Sequence, residues 1–470
     1  MTGVTGIKTV IAEKLTDGTG TILDVRRNVR KKVDDVIIVD RALERRHQEG
    51  RPVLFGVFGA GAMARGTVNQ TERYLQGITA AAICNRTISA ALDVYAAAGQ
   101  TNVVVVETAA QLDDAIRSGR RAVTSNPEAI CASELLECLV EITGHIEYGA
   151  RVSEKAIVHG KHLVLMNAEI DATIGPLLKH RADQKGVVVS GCDGDQPAVQ
   201  VNLLRSVLGW GLRPLLCGNI KGLQDHYRNP TTQASFAEQW GQTSNMVTSF
   251  ADGSKISIEQ AVVANATGMG VAKRGMIGPE YHGHIDDMTV MFDIEMLRES
   301  GGIVDFALGA LPSPGVFVFA EAQDDQQRRH LDYAKLGSGP LYSFYIPYHL
   351  TQFEVADTVA RVVLFQDAAT TPLRGPVVDV VAAAKVNLTA GTTLDGIGYY
   401  MTYGLAENYA TARAERLLPI GLAEGCVLVR DLPRDAVLTY DDVMQPAGTD
   451  VHRLRAEQDE LFLPIGVARG

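Results

Sequence analysis

What the chain lacks narrows it first. Its 470 residues contain no run of about 18 apolar residues, so no membrane-spanning helix is expected. The start, Met1-Thr2-Gly3-Val4-Thr5-Gly6-Ile7-Lys8, has no continuous apolar stretch of the secretory kind. The net charge is −11 and the sequence pI about 5.5, which gives no sign of a nucleic-acid or anionic-membrane surface. The six cysteines, Cys84, Cys131, Cys138, Cys192, Cys217 and Cys426, form no CxxC pair, and several stand in apolar stretches. Free, buried thiols in a reducing compartment are expected, and with them a cytoplasmic protein. There is no long repeat and no low-complexity tract.

What is present is a large apolar fraction, 46%, in a chain long enough for two or three domains at roughly 100–200 residues each. Residues 1–35 are polar, with Arg26-Arg27 and Lys31-Lys32 among them, and carry no readable fold. Residues 36–50 read as one amphipathic helix with a charged outer face from Arg41 to Arg46. From Pro52 short apolar runs alternate with helical stretches. Strands are expected at Val53–Phe58, Ile78–Cys84, Val103–Val106, Leu139–Thr143, Leu163–Met166 and Val187–Ser190. Such alternation predicts an α/β fold, a parallel sheet covered on both faces.

After Gly191 the pattern changes. Gln196–Gly209 reads as a helix, and 214–345 as an α+β region. Thr351–Phe365 reads as a helix with Phe353, Val355, Val359 and Val362-Val363 on its apolar face, packing back on the first domain. The expected organisation is an N-terminal extension (1–50), a Rossmann-type domain (51–195, completed by a helix over 351–368), an α+β substrate domain (196–350) and a small β-rich module (378–470). The last is expected to fold as its own unit.

The strongest local signal is Gly59-Ala60-Gly61-Ala62-Met63-Ala64, a GxGxxA run between a strand and a helix. Gly59 suits the tight turn, Gly61 lets the backbone approach a pyrophosphate, and Ala64 lets helix pack on strand. The second strand ends at Asn85-Arg86, without the acid that accepts from an NAD ribose; these residues suit the 2′-phosphate of NADP instead. Thr143-Gly144 and Asn167-Ala168-Glu169-Ile170-Asp171 close the next strands and so fall near a bound nicotinamide. Asp171 reads most simply as a cap for a helix beginning at Thr173.

Gly191-Cys192-Asp193-Gly194-Asp195 is a further strand-end loop, where an acid can orient a lysine or bind hydroxyls, or Asp195 can serve as an N-cap. Lys221 ends a strand-like run, Leu215–Ile220, where a cation could stabilise charge on a reacting oxygen. The reading pairs it with Asp195. His349 and Glu354 flank the returning helix and are placed at the far side of the cleft. His282-Gly283-His284-Ile285-Asp286-Asp287 has metal-ligand residue types, but a polar loop is the commoner use of such a cluster, and no metal ligand is assigned.

These segments resemble known families. Gly59–Ala64, Thr143-Gly144, Gly160-Lys161-His162-Leu163-Val164 and Asn167 resemble the cofactor domain of homoserine dehydrogenase, except that Ala168-Glu169 stand where that family follows its Asn with a catalytic lysine. A closer resemblance is to the homoserine-dehydrogenase-like family that includes the 1-deoxyxylulose 5-phosphate reductoisomerase-like proteins. It rests on Asn167-Ala168-Glu169, Gly194-Asp195, Lys221, Ala264–Gly268, Ser313–Phe317, Pro347–Leu350 and Glu354 with Val359–Val363. The end of the chain, through Ala384-Lys385, Ala390-Gly391 and Leu438–Val443, resembles the SAF domain. The resemblance implies NADPH-dependent reduction of a small oxygenated substrate, such as a sugar derivative or sugar phosphate, with isomerisation coupled to it. It implies catalytic roles for Lys221, Asp195, Glu169, Asp193 and His349, and substrate contacts from Arg228, Asn265 and Glu354. Lys273 and Arg274 are further cations for a phosphate. A homoserine-type dehydrogenase and a non-catalytic dinucleotide sensor are the alternatives, and a homo-oligomer is expected.

Overall fold

The computed structural model describes residues 38–463. Residues 1–35, read above as polar, lie outside the described residues.

Seven parallel strands form the first sheet: β1 (Val53–Phe58), β2 (Ile78–Cys84), β3 (Val103–Val105), β4 (Arg121–Thr124), β5 (Cys138–Glu141), β6 (His162–Leu165) and β7 (Val189–Gly191). Their order is β3-β4-β2-β1-β5-β6-β7, and every neighbouring pair is parallel. The chain order reverses between β1 and β5, and the carboxyl ends of the strands there open a crevice. This is the Rossmann-like α/β fold that the alternation predicts. β4 was not expected: it is only four residues long, and Arg121 at its start breaks the apolar pattern.

Helices cover both faces because the strands are apolar on both. On one side Ala62–Tyr74, Ile88–Ala97 and Thr351–Phe365 bury Val53, Phe55, Val57 and Ile83. On the other, Ile146–Val158 and Ala168–Lys185 pack over Leu139, Leu163 and Leu165. Thr351–Phe365 buries Val355, Ala356, Val359, Ala360 and Val362. Phe353, expected on that face, is exposed, although Thr351 in the same turn is buried against the Gly194 carbonyl.

The second sheet has the order β11-β10-β8-β9, from β8 (Arg213–Lys221), β9 (Ile303–Leu308), β10 (Gly315–Glu321) and β11 (Leu341–Ile346). Only β8 and β9 run parallel; β10 is antiparallel to both its partners. Between the two sheets lies the helix Ser254–Thr267, buried from Ser254 to Ala266. It has no polar face, so it can sit only in the middle of the molecule.

The terminal segment contains β12 (Val378–Ala384) antiparallel to β13 (Thr402–Asn408), the two-residue pair β14 (Val427–Leu428) and β15 (Val443–Met444), and a final helix, Asp450–Leu461. One small apolar cluster, Val381, Ala412 and Leu417, lies within it. Val380, Ala406, Leu418 and Leu454 belong to the same apolar cluster as Ile170, Leu177 and Val262. Arg455, 2% exposed, pairs with Asp379 and Asp459 and donates to the Thr173 carbonyl. These contacts join its apolar strands to the rest of the chain.

All six cysteines are free and buried. Among the described residues no helix is long and apolar enough to cross a membrane.

Candidate functional site

The site grows from the carboxyl ends of β1, β5, β6 and β7. After β1, Gly59 has φ +115°, a conformation that side chains rarely allow. Gly61 follows at the N-cap of Ala62–Tyr74, with extended backbone. A Cβ at Gly61 would meet nothing within 4 Å, so its absence leaves open space at the helix start. Ala64 is wholly buried, letting this helix lie close on β1. The turn thus fits a dinucleotide pyrophosphate: an open cradle in front of free helix N–H groups. Ala62 and Met63 supply the first helical N–H groups. At the end of β2, Asn85 donates to the Thr87 carbonyl (2.9 Å) and shapes the turn. Arg86 beside it is exposed and has no partner among the described residues.

After β5, Glu141 is fully buried, and burial pushes its carboxyl up to about 7. It accepts from the Thr143 amide (2.9 Å) and hydroxyl, which fixes the turn into Gly144. After β6, Asn167 caps Ala168–Lys185 by accepting from the Ile170 amide (3.3 Å). The helix begins before the expected position, so Asp171 is not its cap. It sits buried in the first turn, and burial alone lifts its carboxyl to about 7.

Glu169, in the same turn, accepts from Lys255 of the central helix at 2.8 Å. Both are about nine-tenths buried. Asp195, at the N-cap of Gln196–Gly209, feels the charge of the same ammonium; burial lifts its carboxyl to about 6 against the pull of Lys255. Glu169, Asp195 and Glu259 together hold Lys255 above the usual lysine range despite the opposing effect of burial.

Lys221 ends β8. Its Nζ donates to Gln196 Oε1 (2.8 Å) and to Glu259 Oε2 (3.1 Å). Asn219, two residues earlier on the same face, donates to both acceptors at 3.1 and 2.8 Å. Lys221 is therefore oriented by Glu259 and Gln196, and the cation beside Asp195 is Lys255. His349 completes the group. Gly194 (φ +74°) would place a Cβ 2.8 Å from the Leu350 carbonyl carbon, so only glycine lets the turn after β11 come this close. His349 then feels the charges of Glu259 and Lys221, and burial holds its imidazole below the usual range, neutral at pH 7.

Of the residues named from sequence, Lys221, Asp195, Glu169 and His349 are brought together. Others are taken up elsewhere. Asp193 accepts from Arg361 (2.6 Å), Asn202 (2.7 Å) and Thr358 (3.2 Å), which ties Thr351–Phe365 to Gln196–Gly209. Asn265 accepts from the Val377 and Val378 amides at 2.7 and 3.1 Å and holds the start of β12. Arg228 pairs with Asp225 (3.0 Å), while Arg274 is held by Glu407 (2.7 Å) and Glu415 (2.6 Å). Glu354 is half-buried and raised by burial and by Asp193. His282 and His284 are exposed; His284 accepts from the Asp286 amide (3.3 Å) as an N-cap.

Sequence reading missed Lys255, Glu259, Gln196 and Glu141. The signal for two of them was present: Lys255 and Glu259 stand four apart in Ser254–Thr267, a helix with no polar face to put them on.

Residues 194–355 match the family model of the oxidoreductase DRL catalytic domain. The matched span contains Asp195, Lys221, Lys255, Glu259 and His349. No curated protein matches the chain. Among solved structures it is similar to myo-inositol dehydrogenase from Lactobacillus casei in complex with NAD(H) and myo-inositol, at 15% identity and TM-score 0.28, over 38% of this chain and 49% of that one. Scyllo-inositol dehydrogenase from the same organism aligns at 12% identity and TM-score 0.30, over 58% and 67%. A 3-ketoreductase from Actinomadura kijaniata, solved with TDP-benzene and NADP, aligns at 13% identity and TM-score 0.32, over 67% and 90%. The chain thus spans about half the length of the first of these.

Proposed function

We propose that the chain is an NADPH-dependent oxidoreductase that reduces the carbonyl of a small hydroxy or oxo compound, a sugar derivative or sugar phosphate, with isomerisation coupled to the reduction. The observation that carries this reading is the pair of buried ammonium groups, Lys221 and Lys255. Each is paired with a carboxylate at 3.1 Å or less, and their partners Glu169 and Gln196 stand in the first turns of the helices that follow β6 and β7.

Gly59, Gly61, Ala62 and Met63 would hold the pyrophosphate, Asn85 and Arg86 the 2′-phosphate, and Thr143, Gly144 and Asn167 the nicotinamide side. Bound there, the nicotinamide supplies the hydride. The chain's own residues do the rest. Reduction leaves negative charge on the substrate oxygen, and a preorganised cation there lowers the barrier. Lys221, held by Gln196 and Glu259, is our choice for that cation. Lys255, held by Glu169, adds a second, suited to an adjacent hydroxyl. Neutral His349 can exchange a proton with a substrate hydroxyl. The resemblance to reductoisomerase-like proteins supports coupled isomerisation, and the family match supports the reaction class.

NADPH consumption against a panel of aldoses, ketoses and sugar phosphates tests the proposal. Turnover with at least one of them, faster with NADPH than with NADH, is expected. NADPH binding without turnover across the panel would make the chain a dinucleotide sensor. Turnover confined to the homoserine couple would make it an amino-acid dehydrogenase.

A further inference from the structure

A second concavity lies at the opposite end of the first sheet from the lysine pair. It is a groove of about 690 Å³, within the range of small-molecule sites. Its walls are the start of β7, the far half of Gln196–Gly209, the end of Ser254–Thr267 and the connector 366–374 that leads into β12. The connector is held along the edge of β7: Gly191 donates to the Thr370 carbonyl (2.8 Å) and Ala369 to the Ser190 hydroxyl (2.9 Å).

Three features of the groove point to a ligand. The first is unspent polarity. Thr370 and Thr371 line it, are 3% and 7% exposed, and their hydroxyls have no hydrogen-bond partner among the described residues. A buried hydroxyl without a partner is costly, and two adjacent ones are uncommon. The second is charge. Lys179 is paired with Asp183 (2.5 Å) and Arg205 with Asp367 (3.0 Å), but Arg374 at the rim has no ion-pair partner among the described residues. The third is the apolar wall of Val187, Val201, Leu204, Leu208 and Leu373. Two of these, Leu208 and Leu373, are 52% and 68% exposed.

We propose that this groove binds a small organic anion, a carboxylate on a short aliphatic body. The carboxylate meets Arg374 and the threonine hydroxyls, and the aliphatic part lies on the leucines and valines. One uncommitted cation suits a single negative charge, whereas a phosphate wants several donors. The site shares no residue with the dinucleotide turn or the lysine cluster, so it stands independently of the reaction proposed above.

Hexanoate, hexanol and inorganic phosphate serve as probes of the full chain by calorimetry or ligand-observed NMR. Hexanoate is expected to bind saturably and more tightly than either of the others. Arg374→Ala should weaken it about tenfold, the effect of losing one charge-assisted contact. Leu208→Glu, which sets a negative charge on the apolar wall, should weaken it at least as much. Both positions are exposed and remote from the cofactor turn, so unchanged NADPH affinity will show that the variants are folded. The proposal is overturned if hexanoate fails to saturate, if Arg374→Ala binds it as the parent does, or if NADPH displaces it. It is also overturned if Leu208→Glu splits a dimer in sedimentation, which would make the groove a contact between two copies of the chain.

Discussion

At the scale of single residues, burial decides which side chains carry chemistry, and burial is what a sequence hides. Lys221 was legible because it ends an apolar run that enters a new region. Lys255 was not, since a lysine inside a helix is ordinarily solvated and its partners, Glu169 and Asp195, are distant in the chain. Asp171 illustrates the same limit. Its place in a helix's first turn suggests an ionised acid favoured by the helix dipole, yet nine-tenths burial or more makes the protonated form the preferred one. The consequence for stability has a definite sign. A carboxyl raised from 3.8 to about 7 supports the fold fully below about pH 4 and loses that contribution as pH rises through 7. Asp171→Asn cannot ionise. At pH 8 it should be more stable than the parent in urea unfolding, by about 4 kcal/mol at most, and the gap should close by pH 4. Equal stabilities at both pH values would mean that Asp171 is not desolvated in solution. Arg86 makes the complementary test at the surface. Arg86→Asp should weaken NADPH, by about tenfold or more, and leave NADH nearly unchanged in fluorescence titrations. Equal affinity for NADPH in variant and parent would remove the 2′-phosphate role.

At the scale of elements, the parallel strands were readable because each is a short apolar run closed by a turn, and the strands with chemistry at their ends were among them. β4 escaped through its brevity. The helix Ser254–Thr267 escaped for a different reason: its polar and apolar residues are spread around the whole circumference, so it shows no helical period. Yet this helix carries both Lys255 and Glu259 and joins the two halves of the site. The turn Gly59–Gly61 can be tested as an element. Gly61→Val fills the cradle with a branched side chain in otherwise open space, so the fold should survive while NADPH affinity falls by at least about tenfold. A thermal midpoint like the parent's, measured beside the affinity, separates the two effects. Undiminished affinity would place the cofactor elsewhere.

At the scale of the whole molecule, a turn-rich segment looks self-contained in sequence whether or not its apolar residues also pack outside it. Here they face the central helix. Lys385, 2% exposed, donates to Asp252 Oδ2 at 2.8 Å. Asp252 in turn accepts from the Ser254 amide (2.8 Å) at the first turn of the helix that carries Lys255. The terminal segment therefore positions the lysine cluster without touching it. Lys385→Met leaves Asp252 buried and unpaired, and should cost about 3–5 kcal/mol in chemical unfolding at pH 7. A chain cut at Val378 should be insoluble, since it would expose the shared core.

In the proposed reaction Lys255, buried, and Lys221, part-buried, serve one reduction. Lys221→Met and Lys255→Met each keep most of the side-chain volume and remove the charge. With the substrate found in the NADPH panel, turnover of each variant should fall about 10²–10³-fold while NADPH affinity stays within about twofold. Near-parental turnover in both variants, with NADPH bound as before, would contradict the account.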